Sequence, residues 1–142
     1  MLKLLAAAVA AVLLTAGQAA AHGAIAIGGS TAKIEQNGVA VGISTDDAAE
    51  DAANQSAIER CRAYASKRPA ETTARCAVVV SFTHEWVVFA MDPKEATPGF
   101  GWSVDADKAV AERNAMSQCK ASSTDERKPY CVLSGELQDT KP

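Results

Sequence analysis

The chain has 142 residues, 48% of them hydrophobic, and its 14 basic and 17 acidic side chains leave a formal net charge of −3. That length suits one domain able to bury a core of its own. A mildly acidic balance with scattered Lys and Arg excludes the basic stripe that nucleic acid or an anionic membrane surface demands, so small molecules and proteins remain as partners.

Met1 to Ala21 reads as a signal peptide. Lys3 supplies the basic start, Leu4 to Ala16 the apolar core, and Ala19-Ala20-Ala21 a small-residue cleavage end. The apolar core is shorter than the ~20 residues a spanning helix needs, no cysteine follows the cut to carry a lipid, and no twin arginine precedes the core. Cleavage before His22, release without stable membrane insertion and a periplasmic or secreted location are therefore expected. Loss of Lys3 leaves 13 basic and 17 acidic side chains, a net of −4.

Beyond the cut, Ala24-Ile25-Ala26-Ile27 and Val39-Ala40-Val41 flank Asn37-Gly38, a hairpin signal because Asn-Gly accepts the positive φ of a tight turn. Gly28-Gly29-Ser30 lacks the spaced glycines and following lysine of a phosphate loop and reads as a turn. Asp47 is expected to cap a helix with Glu50 at its third position. Asp46, Asp47, Glu50 and Asp51 crowd the start of that helix, while Arg60, Arg62, Lys67 and Arg68 gather at its end, as the helix dipole favours. The acidic group lacks the alternating oxygens of a calcium loop. Ala49, Ala53, Ala57, Cys61 and Tyr64 fall on one face, a packing stripe small enough to lie close to a sheet. Asn54-Gln55-Ser56 matches a glycosylation sequon, but at a helical position.

A polar loop leads to Cys76, and Ala77 to Phe82 reads as a buried strand. Thr83-His84-Glu85 then turns the chain into a strand from Trp86 to Ala90. Asp92-Pro93 and Pro98-Gly99 mark a loop, Phe100-Gly101-Trp102 the return strand, and Asp105 the cap of a second helix. That helix faces inward with Val110, Ala111, Ala115 and Cys119, with Met116 beside them. Lys128-Pro129-Tyr130 leads to Cys131, Val132-Leu133 form the last strand, and Gln138 to Pro142 are expected to fray.

One stretch occurs twice. Residues 47–61 align without a gap on residues 105–119, matching at Asp47/Asp105, Ala48/Ala106, Ala53/Ala111, Ala57/Ala115 and Cys61/Cys119, and a Gly-x-Ser precedes each copy. The pattern predicts an α+β fold of two tandem ββαβ repeats, about 22–83 and 84–137. These would form a mostly antiparallel sheet with two Ala-rich helices, within a single domain over 22–142. Four cysteines in an exported chain are most simply two disulfides. A unit copied whole carries its own bridge, which selects Cys61 with Cys76 and Cys119 with Cys131 from the three possible pairings.

Gly23-Ala24-Ile25-Ala26, Gly42-Ile43-Ser44, Cys61, Cys76-Ala77-Val78-Val79, Gly101-Trp102-Ser103, Cys119 and Cys131 together resemble an exported bacterial domain, domain of unknown function 4189. The resemblance covers essentially the whole chain after the signal peptide and implies the fold and export. Many family members carry one more cysteine near the position of Glu85 or Trp86 and another near the C-terminus. Both are absent here, as joint loss of a third bridge would leave them. The resemblance brings no reaction and no catalytic residues.

No catalytic constellation is evident. The only histidines are His22 and His84, no Gly-x-Ser-x-Gly elbow is present, and Ser117-Gln118-Cys119-Lys120 matches S-x-x-K without its companion motifs. One chemical alternative stands beside the absence of a cofactor: cleavage before His22 would free an amine beside its imidazole, and with His84 as a third nitrogen the set suits Cu(II). The His-Gly start resembles that of copper-dependent polysaccharide monooxygenases and some periplasmic copper carriers, which the rest of the chain does not match. Trp86 and Trp102, on paired strands, could be core or an exposed platform for a partner. The expected function is a non-enzymatic binding module for an unknown protein or envelope component, with a copper-binding or copper-dependent redox protein as the alternative.

Overall fold

The structure, a computed structural model, describes residues 21–29, 38–64, 69–94 and 97–139. The signal peptide reading therefore lies outside the described residues up to position 20, as do Ser30, Asn37, Lys67, Arg68 and the last three residues. Among the described residues, six strands and three helices follow in the order β1 (His22–Gly28), β2 (Ala40–Asp47), α1 (Glu50–Ala63), α2 (Ala70–Ala74), β3 (Ala77–Phe82), β4 (Trp86–Met91), β5 (Phe100–Asp105), α3 (Lys108–Ser122) and β6 (Val132–Gln138), with a 3-10 turn at Lys128–Tyr130.

Each repeat builds its own antiparallel sheet, ordered β2-β1-β3 and β5-β4-β6, so the first strand of each unit lies in the middle. The α+β repeats stand, but the expected sheet is divided in two. The reason lies in the alternation of side chains. Ala24 and Ala26 face α1, and Val88 and Ala90 face α3, whereas Ile25, Phe82, Val87 and Phe89 point the other way and meet in a third cluster with Val41, Ile43, Val80, Phe100, Trp102 and Val104. Small residues admit a helix on one face; large ones close the two sheets against each other on the other. The layers run helix, sheet, sheet, helix, and Thr83-His84-Glu85 carries the chain across, with His84 at φ 57°.

The helix-facing glycines explain the repeated Gly-x-Ser. A Cβ on Gly42 would lie 2.1 Å from the Ala57 carbonyl oxygen, and one on Gly101 would lie 2.2 Å from that of Ala115. Backbone meets backbone at both places, and Ala53, Ala57 and Cys61, like Ala111, Ala115 and Cys119, are fully buried there. The disulfides Cys61–Cys76 and Cys119–Cys131 then tie each helix to the last strand of its unit.

Three boundaries differ from expectation. Asp47 does not cap α1: β2 runs through it and its carboxylate accepts from Ser44 Oγ, while the N-cap is Ala49, with no capping side chain. Asp105 likewise stays in β5 and accepts from the Asp107 N–H at 2.8 Å; Asp107 is the cap, accepting from the N–H groups of Ala109 and Val110. The expected fraying fails at Gln138, which belongs to β6, and at Asp139, which is buried. The loop before Cys76 also holds the short helix α2, opened by Pro69, whose carbonyl accepts from Thr72 and Thr73.

One further departure from symmetry matters. Gly42 and Gly101 are 59 positions apart but Asp47 and Asp105 only 58, so the first repeat carries one extra residue. It forms a bulge: β1 pairs Ala24 with Ser44 but His22 with Asp47, whereas β4 pairs Val88 with Ser103 and Trp86 with Asp105 without a shift. Asp46 sits in that bulge at φ 64°. The same register equates His22 with Trp86.

Candidate functional site

The two tryptophans do not form one platform. Trp86 is half-buried against the α3 cluster, with Lys108 Nζ 5.1 Å from its ring centre, and Trp102 packs into the layer between the sheets. They occupy opposite faces of one sheet. Tyr64 and Tyr130 are exposed, and the Arg127 guanidinium lies 4.1 Å from the Tyr130 ring centre.

His22 and His84 lie at the same end of the sandwich, where β1 begins and the chain crosses between sheets. Among the described residues no group of three or more His, Cys, Asp or Glu side chains could hold a metal ion, and nothing in the arrangement favours copper. Ser117 and Lys120 are exposed on α3.

That same end holds a group that sequence reasoning missed. Asp46 reaches it from the bulge in β2, Asp139 from the end of β6, and His84 from the crossing turn. Asp139 is only 1% exposed, and neither of its carboxylate oxygens, nor Asp46 Oδ1, receives a well-formed hydrogen bond. Burial pushes the Asp139 carboxyl above the ordinary carboxylate range; the neighbouring Asp46 carboxyl adds to the rise, and the backbone N–H and imidazole of His84 oppose it. The signal available in the sequence was the one-residue change in repeat offset. Asp139 itself lay in a tail with no periodicity to mark it.

At the opposite end a carboxylate is treated in the reverse manner. Asp92, at the end of β4, has its side chain fully buried, and Arg127 grips it with two bonds, Nε to Oδ2 at 2.7 Å and Nη2 to Oδ1 at 2.6 Å. The Arg127 hydrogen bond holds the Asp92 carboxyl down to about 2. Arg127 belongs to the loop closed by Cys119–Cys131, so the bridged loop is fastened onto the β4–β5 connection.

Among the described elements, β6 carries the most exposed large apolar side chains. All seven of its residues are exposed, with Val132 at 47%, Leu133 at 46% and Leu137 at 42%. It is an edge strand, and its outer side pairs with no strand among the described residues. The other edge of that sheet is covered: the N–H groups of Phe100 and Trp102 on β5 donate to Ser122 Oγ at 3.0 Å and Gln118 Oε1 at 3.3 Å, both on α3. Beside β6 lies an open groove of about 520 Å³, lined by Glu112, Arg113, Met116, Ser117, Lys120 and Leu133. Two cations against one carboxylate make it positive on an acidic chain. Glu136 of β6 is occupied by Lys108 at 2.7 Å.

Compared with known proteins, residues 22–135 match the family described as Domain of unknown function (DUF4189). No curated protein and no solved structure matches the chain.

Proposed function

Because the chain belongs to that family of domains of unknown function, we propose a function from its surface: an exported, non-enzymatic interaction module that adds an extended segment of a partner protein to the open edge of β6. The observation that carries this reading is the contrast within one sheet, where α3 side chains cover the β5 edge while, among the described residues, β6 is left open with its apolar residues exposed. Unpaired edges are ordinarily blocked, and an open one is a template for strand addition. The partner segment pairs its backbone with β6, rests apolar side chains on Leu133 and Met116, and offers carboxylates to Arg113 and Lys120. Two disulfides, and the lack of any helix among the described residues long and apolar enough to cross a membrane, are compatible with periplasmic or secreted use.

The test is titration of the oxidised protein with a short peptide alternating valine and glutamate, followed by amide NMR. Shifts confined to β6 and its α3 groove, weakened by salt and lost in Leu133→Asp, are expected. Shifts spread over both sheets, or none at β6, would overturn the reading.

A further inference from the structure

The two features that backbone and polar chemistry ordinarily avoid coincide at one place. Asp46 and His84 are the non-glycine residues with positive φ, and Asp46 and Asp139 hold the buried oxygens without a well-formed hydrogen bond, among the described residues. All three meet where β2 of the first repeat, the crossing turn and the end of β6 converge. Strain and unsatisfied polar groups persist together only where the surroundings impose them.

The bulge explains how the contact arises. Without the extra residue, β2 would end as β5 does, with its last carboxylate engaged locally, as Asp105 is by the Asp107 N–H in the turn that follows. The insertion leaves Asp47 in that local role, held to Ser44, and releases Asp46 to aim at Asp139. Two neighbouring carboxyl groups with buried oxygens cannot both be charged without repulsion, but one proton between them satisfies an oxygen on each.

We propose that Asp46 and Asp139 form a proton-sharing pair that fastens the end of β6 to the first repeat in acid and releases it when both carboxyls ionise. Among the described residues, the groups facing the pair are few. His84, in the crossing turn, opposes proton retention; Glu85 presents its backbone carbonyl, which accepts the Asp139 N–H at 3.4 Å; Asp47 is engaged with Ser44, and His22 stands opposite Asp47 on β1. Asp139 titrates above its unfolded range, so the stabilisation it brings is full below that range and disappears as pH rises through the raised value. The latch stands whether or not β6 docks a partner.

Carbon-13 NMR titration of the aspartate carboxyls tests this on the unaltered oxidised protein. Asp139 is expected to titrate above the ordinary range. In Asp46→Asn the Asp139 midpoint is expected to fall, because the amide donates a hydrogen bond and carries no charge. Denaturant midpoints supply a second reading: Asp139→Asn is expected to gain on the unaltered protein steadily as pH rises from acid to neutral. An Asp139 midpoint within the ordinary range, or one unmoved by Asp46→Asn, would overturn the proposal, as would parallel stability profiles.

Discussion

Ala49 occupies a helix N-cap with extended backbone, φ −151° and ψ 149°, but has no side-chain oxygen to offer the first-turn N–H groups. Its counterpart Asp107 accepts from two of them. The duplicated helices thus differ at the one position where a single polar atom matters most. Ala49→Ser is expected to raise unfolding stability by about 1 kcal/mol, and Asp107→Ala to lower it by about the same amount; urea denaturation reads both, and no gain from Ala49→Ser would show that α1 starts elsewhere. Asp47 and Asp105 were attractive caps in the sequence because each precedes an Ala-rich stretch. Composition alone could not tell that the strand before each helix runs on through that aspartate.

Among the elements, the bridged loop after α3 rests on the Asp92–Arg127 pair. The Asp92 carboxyl is depressed to about 2, so the stability it contributes is present above the ordinary carboxylate range near 3.8 and is lost as pH falls toward that lower value. Arg127→Met leaves the buried carboxylate unpaired and is expected to lower the denaturation midpoint most at neutral pH, with the gap to the unaltered protein narrowing in acid. A gap independent of pH would mean that Arg127 acts through its packing on Tyr130 instead. Strands, helical stripes and both disulfides were legible because the chain states them twice: Cys61 and Cys119 end matching helices, and each is followed by one more cysteine. The Asp92–Arg127 pair was not, since 35 residues separate its partners and no pattern links them.

At the scale of the whole molecule, the sequence displayed which strands exist but not that the two units would stack. Alternation tells that Val87 and Phe89 share a face; it does not tell what covers that face. The inter-sheet layer makes the repeats interdependent. Phe89→Ala, a truncation at a buried site, is expected to cost about 3–5 kcal/mol and to lower hydrogen-exchange protection in α1 as well as α3; loss confined to α3 would show that the sheets are not energetically coupled. The exposed edge at β6 was equally hidden, because Val132-Leu133 looks like any core strand until its neighbours are known. That edge is also where function is assigned, and site-directed photo-crosslinking in the cell that makes the protein addresses it most directly, with one probe at Ser134 on β6 and a control at Gln55 on the outer face of α1. The expected result is a discrete adduct from Ser134 alone, suppressed by Leu133→Asp and by an excess of the valine and glutamate peptide. Adducts from Gln55 with none from Ser134, or a Ser134 adduct indifferent to both the substitution and the peptide, would contradict it.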